Sequence, residues 1–479
     1  METSILIKQR AYHDSVTLMA ASQRVAALPG VTQAVLAMGT DHNKELLGEA
    51  GLLLPEAAAA APDDLIIALQ AVDAAALNRA AEAAEAALAG GAGAVASSGG
   101  RPARSLRAAL RQLPDANLAL VAVPGAYAAR EARQALQAGL HVLLFSDNVS
   151  LEDEIDLKRD AAERGLLCMG PDCGTAVFGG VGLGFANQLR RGAVGIVSAS
   201  GTGAQEVSVL IDRFGGGVSQ IIGTGGRDLQ PAVGGATMLA GIDWLARDAA
   251  TETILLISKP PDAAVAERVL AAATASGKRV IACFLGHRGE PPAGVELAPT
   301  LWTAARLAVG RSPELPTEPL ERQASLSAPN VRPGRLRGLF SGGTLYAEAR
   351  LELERLGLAG QCDLTDYGDD QFTRGRPHPM IDWTLRLAEL RRIAAEPATA
   401  VILLDVVLGH AAHQDPAPLL APALAEIRQP VVAYVCGTDA DPQDRRRQAA
   451  ELAAAGALLA DSNLAAAHLA GLLLKEAKA

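Results

Sequence analysis

Two segments of this chain, residues 196–202 and 338–344, combine an apolar stretch with a Ser-Gly-Thr or Ser-Gly-Gly-Thr turn and then an amphipathic helical pattern. The first N–H groups of a helix have no intrahelical partner, and the peptide dipoles add partial positive charge at that end. A strand, turn and helix of this kind can therefore bind an anion such as phosphate. A single turn of this composition is more often a simple helix cap, so the repetition is what indicates function.

The repetition extends beyond the turns. An Ile-Asp-Trp sequence follows each turn, at 242–244 and at 381–383, and an apolar run follows each of these, at 253–257 and 400–404. The period of about 140 residues is the size of a domain and is too long for a solenoid repeat. The second half of the chain is therefore predicted to contain two copies of one α/β domain.

Length and composition narrow the class of protein. A chain of 479 residues requires several domains, and its net charge of −10 without a basic cluster argues against nucleic acid as a partner. No membrane span or leader is visible, so we expect a cytoplasmic protein without membrane association. The five cysteines are scattered without a metal-binding spacing, so neither disulfides nor a metal site are expected.

Apolar runs and helical patterns divide the chain into four predicted domains. Residues 1–100 are expected to form a small α+β domain, for which a ferredoxin-like arrangement is one candidate. Residues 101–191 have the strand and helix order of a Rossmann-like domain, although they lack a G-x-G-x-x-G sequence. Residues 192–312 and 335–479 are the repeated domains, and the stretch 311–333, rich in Pro, Glu and Ser, is predicted to link them.

Several motifs resemble a known enzyme family. Residues 170–173 (GPDC), 195–202 (GIVSASGT) and 223–226 (GTGG) occur in the same order as comparable motifs of the α subunit of succinyl-CoA synthetase. Residues 335–479 resemble the C-terminal ligase domain of that enzyme's β subunit. The likeness implies a Rossmann-like CoA-binding-type domain followed by two flavodoxin-like domains of the succinyl-CoA synthetase type.

The N-terminal segments 12–19 (YHDSVTLM) and 38–44 (MGTDHNK), with the fused arrangement of these domains, are similar to the FdrA family of acyl-CoA synthetase-like proteins. This resemblance covers essentially the whole chain. Membership of a family does not by itself determine the reaction.

The turns predict one shared phosphate site. We expect the two helix N-termini to converge between the repeated domains and to stabilise phosphate and an acyl-phosphate-like transition state through their N–H groups. The predicted phosphate-binding residues are Ser200, Gly201, Thr202, Ser341, Gly342, Gly343 and Thr344.

Further candidates surround these turns. Arg227 follows a glycine-rich turn at a strand end, where it is either an oxyanion clamp or an exposed turn residue. Gly225 and Gly226 in that turn, and Lys259 at the end of another strand, are predicted to bind substrate. The succinyl-CoA synthetase family has an acidic residue in the region of Lys259, so the resemblance implies a changed substrate preference.

The equivalent region of the last domain is unusually polar. Arg374 is a candidate for substrate binding and Arg376 for catalysis. His378 is either a catalytic acid or base or a residue held by packing between two prolines. Asp405 stands at a strand end, where a site role and a surface role are both open.

The chain departs from the synthetase pattern in three respects. His287 is close to the expected place of the phosphate-carrying histidine but lacks the Gly-His-Ala-Gly-Ala sequence of the family, and we expect it to remain unphosphorylated. No ATP-grasp domain precedes the last domain, so ATP is not expected to bind this chain alone. The glycine-rich CoA turn is not visible, and residues 90–100 are either its remnant or a linker, which leaves the use of CoA open.

Three functions follow from these observations. The resemblance implies an acyl-CoA synthetase-like enzyme that exchanges an acyl phosphate and CoA for a thioester and phosphate. The alternative is a subunit of an oxamate carbamoyltransferase, which would cleave a ureido acid such as oxalurate with phosphate in purine or allantoin catabolism. The third is a non-catalytic assembly subunit. We expect a small acyl or ureido acid as substrate, and a homo-oligomer or a complex with other subunits.

Overall fold

The computed structural model describes the chain except residues 1, 12, 14, 27, 41–42, 45–46, 49–50, 92–102, 104, 288, 313, 328–330, 374–376 and 477–479. The described residues form two compact units, one from residues up to 103 with Pro377 and one from residues 105–373 and 378–476.

The strands of the described chain are β1 Glu2–Lys8, β2 Val31–Met38, β3 Leu65–Ala71, β4 Leu118–Val121, β5 His141–Leu144, β6 Cys168–Met169, β7 Thr175–Phe178, β8 Val181–Gly184, β9 Arg191–Ser198, β10 Val218–Gly223, β11 Thr253–Ser258, β12 Arg279–Phe284, β13 Val295–Leu297, β14 Arg335–Phe340, β15 Cys362–Asp366, β16 Thr399–Val407, β17 Val431–Cys436 and β18 Leu458–Ala460.

Its α-helices are α1 Ser15–Ala26, α2 Pro55–Ala59, α3 Ala74–Gly91, α4 Leu106–Gln112, α5 Gly125–Gln137, α6 Leu151–Glu163, α7 Gly201–Arg213, α8 Ala236–Arg247, α9 Ala263–Ala275, α10 Leu301–Ala308, α11 Glu318–Ser327, α12 Gly343–Arg355, α13 Asp370–Thr373, α14 Thr384–Ala395, α15 Ala417–Glu426, α16 Arg445–Ala454 and α17 Asn463–Glu476. None of the helices in these described ranges combines the length and the apolar character needed to span a membrane.

The first unit is a three-stranded antiparallel sheet in the order β1-β3-β2. The central strand β3 is apolar from Leu65 to Leu69 because both faces of the sheet are covered. Its residues Leu65, Ile67 and Leu69 pack against the helices α1 and α3, whereas Ile66 and Ala68 pack against the segment that contains α2. This arrangement agrees with the predicted small α+β fold.

The second unit begins with a short parallel sheet, β4-β5-β6, that carries the helices α5 and α6. The antiparallel hairpin β7–β8 follows it, and β7 pairs with β10 in the next sheet. The sequence interpretation missed this hairpin. Its turn consists of Gly179 and Gly180, both with positive φ, which suits the tight connection of a two-residue hairpin.

Two larger sheets confirm the predicted duplication. The order β12-β11-β9-β10 within the seven-stranded sheet matches the order β17-β16-β14-β15 within the five-stranded sheet, and both runs are parallel. Helix α7 follows β9 and helix α12 follows β14, and each helix has 13 residues. We refer to the two halves as the seven-stranded lobe and the five-stranded lobe.

The two lobes share one hydrophobic core. Apolar side chains of α7, such as Val207 and Ile211, belong to the same buried cluster as Leu345 and Leu353 of α12. The helices that follow the two turns are therefore packed together rather than separated by solvent.

The segment predicted as a linker also contains structure. Helix α11 lies within residues 311–333 and contacts α17 through the buried side chains of Leu320 and Ala324. These two residues are one helical turn apart, so they lie on the same face. The segment was predicted to be a linker because of its Pro and Glu content, although Leu320 and Ala324 form a short apolar stripe.

Candidate anion site at two helix N-termini

The two Ser-Gly-Thr turns meet inside the second unit. Ser200 is the N-cap of α7, and its Oγ accepts a hydrogen bond of 2.9 Å from the amide of Gly203. The same Oγ lies 2.5 Å from Oγ1 of Thr344, the second residue of α12. The helix starts that the sequence analysis paired are therefore in direct contact.

The contact is reciprocal. Gly342 is the N-cap of α12, and a Cβ atom on Gly342 would lie 2.6 Å from Oγ1 and 2.9 Å from Cβ of Thr202. The threonine of each turn thus lies against the N-cap residue of the other turn. The first amides of both helices, which have no intrahelical partner, are brought to one place.

A buried hydroxyl lies beside this place. The Thr175 side chain is almost fully buried, and its Oγ1 has no hydrogen-bond partner in the described chain. A Cβ atom on Gly201 would lie 3.5 Å from this oxygen. A buried hydroxyl without a partner is costly, so this oxygen is suited to donate to a bound anion. Nothing in the sequence indicated Thr175.

Ser341 was predicted to contact phosphate, but its amide and hydroxyl bond to Asp405 instead. Its amide lies 3.0 Å from both carboxylate oxygens of Asp405, and its hydroxyl donates to Asp405 Oδ1 at 2.9 Å. Because Gly342 is the N-cap of α12, Ser341 corresponds to Ala199 and not to Ser200. The polar groups of Ser341 are engaged beneath the turn.

Asp405 is in turn held by a buried arginine. Arg386 Nη2 donates to Asp405 Oδ1 at 2.7 Å and to the backbone oxygen of Leu339 at 2.8 Å. Both side chains of the ion pair are about 1% exposed, and the guanidinium lies 4.3 Å from the centre of the Trp383 ring. The strand-end carboxylate therefore supports the second turn from inside the protein.

A cleft of about 590 Å³ opens beside the N-terminus of α12. Lys259 reaches it from the seven-stranded lobe, and a Cβ atom on Gly343 would overlap its Nζ. Asp366 also borders the cleft, and burial raises its pKa to about 6 although the charge of Lys259 opposes the shift. Lys259 and the dipole of α12 both favour an anion here.

The glycine-rich turn of the seven-stranded lobe packs against residues 170–171. Gly225 is buried with φ of +85°, and a Cβ atom there would overlap the Pro171 backbone oxygen, whereas Gly226 is exposed. Arg227 Nε donates to Glu154 Oε2 and its Nη2 donates to the Val149 oxygen, each at 2.8 Å. The geometry ties Arg227 to the Rossmann-like domain instead of leaving its guanidinium free as a clamp.

His378 lies near the second turn. Its Nδ1 accepts a hydrogen bond of 3.3 Å from the Met380 amide, and its ring centre lies 5.2 Å from that of Phe185. Burial, with a smaller contribution from Arg386, lowers the His378 pKa to about 4. The ring is therefore uncharged at neutral pH and presents a neutral N–H at Nε2. Arg374 and Arg376 lie outside the described residues.

His287 belongs to the loop between β12 and β13. Its amide donates to the Phe284 oxygen at 2.9 Å. A Cβ atom on the preceding Gly286 would contact Pro260 at 3.5 Å and Leu351 at 3.8 Å. The loop therefore runs close to the rim of the cleft.

Comparisons with known proteins identify the family. Residues 339–473 match a family model described as CoA-ligase, and residues 1–103 match one described as AllF, heavy metal-associated domain. The chain is 43% identical to the uncharacterized protein YahF of Escherichia coli K12, an FdrA-type protein, over 97% of both chains. This chain belongs to the FdrA family.

Partial likenesses agree with this assignment. The FdrA-family chain is 30% identical to an α subunit of an ADP-forming succinate–CoA ligase of Archaeoglobus fulgidus, over 26% of this chain and 44% of that subunit. It is also 30% identical to a mitochondrial α subunit from Trichomonas vaginalis, over 37% of this chain and 59% of that subunit. The family is acyl-CoA synthetase-like.

The N-terminal match carries the name of a metal-binding domain, but the donor atoms do not fit one. Residues 1–103 contain no cysteine, so the thiolate ligands preferred by soft metals are absent. In the described part of the chain, no group of three His, Cys, Asp or Glu side chains is placed to hold a metal ion. We assign no metal chemistry to this unit.

Proposed function

We propose that this FdrA-family chain is an acyl-CoA synthetase-like enzyme that binds phosphate, or the phosphoryl group of an acyl phosphate, between its two Ser-Gly-Thr turns. The contact between Ser200 Oγ and Thr344 Oγ1 carries this proposal, because it brings two helix N-termini to one place. The family assignment supports the same class of reaction.

The residues of the site have distinct roles in this proposal. The amides of Gly201 and Thr202, together with those of Gly343 and Thr344, donate to the phosphoryl oxygens, and the unpartnered Thr175 hydroxyl adds a donor. Donors fixed in advance by the fold stabilise developing negative charge without reorganising during the reaction.

The cleft beside the second turn receives the organic part of a small acyl or ureido acid. Lys259 supplies a positive charge for its carboxylate, and His378 presents a neutral N–H near the turn. In thioester formation the CoA thiol sulfur attacks the acyl carbon and the bond from that carbon to the phosphate oxygen breaks. The thiol proton passes to the leaving phosphate, which remains between the helices.

Activation of the acid by nucleotide requires a second subunit in this proposal. This chain shows no ATP-grasp sequence, and its partial relatives are subunits of succinate–CoA ligases. We therefore place the nucleotide on a partner and the phosphate and acyl chemistry on this chain.

The test measures phosphate release and thioester formation from an acyl phosphate and CoA, with the protein alone and with the products of neighbouring genes, with and without ATP. Inorganic phosphate should also raise thermal stability, by about 2.7 kcal/mol when its concentration is a hundredfold above Kd. Formation of carbamoyl phosphate from a ureido acid and phosphate without CoA would assign the carbamoyltransferase reaction instead. Stabilisation by CoA with no effect of phosphate would contradict the proposed site.

A further inference from the structure

The two helices that form the anion site carry a glutamate at the same position. Glu206 is the sixth residue of α7 and Glu348 is the sixth residue of α12. Both side chains are almost completely buried, at 0% and 1% exposure. The duplication has thus placed two equivalent carboxyl groups in the interface between the lobes.

One asparagine joins the two carboxyl groups. The Asn463 backbone amide donates to Glu206 Oε1 at 3.1 Å, and its side-chain Nδ2 donates to Glu348 Oε2 at 2.8 Å. The Leu301 amide donates to Glu348 Oε1 at 2.7 Å, whereas Glu206 Oε2 is buried without a partner. Elements of both lobes therefore converge on this pair.

The cations near the pair are engaged elsewhere. Arg213 at the end of α7 donates to Asp461, at 2.7 Å to its backbone oxygen and at 3.0 Å to its carboxylate. Arg355 and His468 both contact Glu352, one turn further along α12. The titratable groups that face the pair from the surrounding elements are Arg213 of α7, Cys283 of β12, Glu352 of α12, Tyr434 and Cys436 of β17, and His468 of α17.

This environment disfavours ionisation of both acids. Burial raises the Glu206 pKa. Burial and the charge of Glu206 raise the Glu348 pKa to about 8. At neutral pH the pair therefore retains a proton, since two like charges in a buried site repel each other strongly.

We propose that Glu206 and Glu348 are positioning residues that together retain one proton in the interface between the lobes, and that this proton holds α7 and α12 in the register that joins their N-termini. Loss of the proton leaves two negative charges in a buried interface. The helices then separate, and the contact between Ser200 and Thr344 at their N-termini is lost.

The first measurement is the thermal stability of the full chain between pH 5 and 9, for wild type, Glu206→Gln and Glu348→Gln. Above the ordinary glutamate pKa the native pair binds one more proton than the same two residues in the unfolded chain. The contribution of the pair to the folding equilibrium constant therefore falls about tenfold per pH unit until pH reaches about 8. Either Gln variant should flatten this fall and should be more stable than wild type at pH 8. Glu354→Gln, on the exposed side of α12, is the matched control and should keep the wild-type profile.

The second measurement is the binding of inorganic sulfate, which does not titrate in this range, beside inorganic phosphate. Wild type should lose sulfate affinity above pH 8, and Glu348→Gln should retain it. This readout rests on the proposed function, whereas the stability profile does not. Stability profiles identical to wild type in both Gln variants would overturn the proposal that the pair retains a proton.

Two further outcomes separate the two proposals. Sulfate affinity that is independent of pH in wild type, with a changed stability profile in the variants, would overturn the coupling of the pair to the site. Absence of sulfate and phosphate binding at every pH would overturn the proposed function and the positioning role together. The stability profile would still report whether the pair retains a proton.

Discussion

The two turns of this FdrA-family protein begin their helices with the same Gly-Thr pair but are built differently. In the seven-stranded lobe, Ser200 caps its own helix and contacts Thr344. In the five-stranded lobe the N-cap is Gly342, because Thr202 occupies the space that a side chain would need. Duplication has therefore produced an asymmetric pair of contacts from two similar domains. Where the side chain of Thr202 fills the space, the N-cap residue of the other turn must be glycine.

The supports beneath the turns differ as well. Ser198 Oγ donates to the Ser200 backbone oxygen at 2.7 Å, so the first turn is held by its own strand. The second turn relies on Asp405 and Arg386, which come from a neighbouring strand and helix. The second turn is therefore more sensitive to distant substitutions than the first.

The largest effect is expected for Asp405→Ala. It leaves the Arg386 guanidinium buried without its partner and removes the acceptor of Ser341, and breaking a buried pair from one side costs about 3–5 kcal/mol. The free energy of unfolding from denaturant titration measures this loss. Asp243→Ala, which breaks an exposed ion pair with Arg247, is the control and should change stability by less than about 0.5 kcal/mol. Equal effects of the two variants would show that Asp405 does not support the second turn.

Gly201→Val should lower activity by about a hundredfold to a thousandfold, the usual result of losing one preorganised donor to an oxyanion. The branched side chain blocks close approach of an anion to the amides of α7. A Cβ atom at this position meets Thr175 at ordinary contact distance, so the variant should still fold. Steady-state kinetics with a thermal melt distinguish the two effects, and full activity in the folded variant would refute the anion site.

Gly342→Ala should destabilise the protein by about 1–3 kcal/mol, because the new methyl group collides with Thr202 in the lobe interface. Gly201→Ala, at an open position of the other turn, is the control and should leave stability nearly unchanged. A double-mutant cycle with Thr202→Ala tests the cause. Removing Oγ1 and Cγ2 of Thr202 makes room for the new methyl group, so the second substitution should restore much of the lost stability. An additive cycle would show that the two turns do not pack as described.

His287→Gln should have the smallest effect and leave most activity in place. The loop from Leu285 reaches Pro291 and Pro292 within a few residues, and proline restricts the backbone motion that a phosphate carrier needs. The measurement is activity together with a search for acid-labile, base-stable phosphate on the protein after incubation with ATP or acyl phosphate. Such phosphate on His287 would restore the phosphohistidine mechanism of the synthetase.

Sequence reasoning came closest where local pattern decides structure. It predicted the duplication of the α/β domain and the helix that follows each turn. It paired Ser341 with Ser200 because both precede glycine, although the extra glycine shifts the N-cap to Gly342. It offered Arg227 as an oxyanion clamp or an exposed turn residue, because the sequence does not show that Glu154, 73 residues away, lies beside it.

By itself, the sequence determined many of the strands and helices, that one domain occurs twice, and to which family the chain belongs. Only the tertiary structure decided that Ser200 meets Thr344, 144 residues away, and that Asp405 holds Ser341. It also revealed that Glu206 and Glu348 share Asn463. The reason is physical: the periodicity of apolar residues records which face of an element is buried, but the partner of a buried polar group depends on which distant element the fold packs against it.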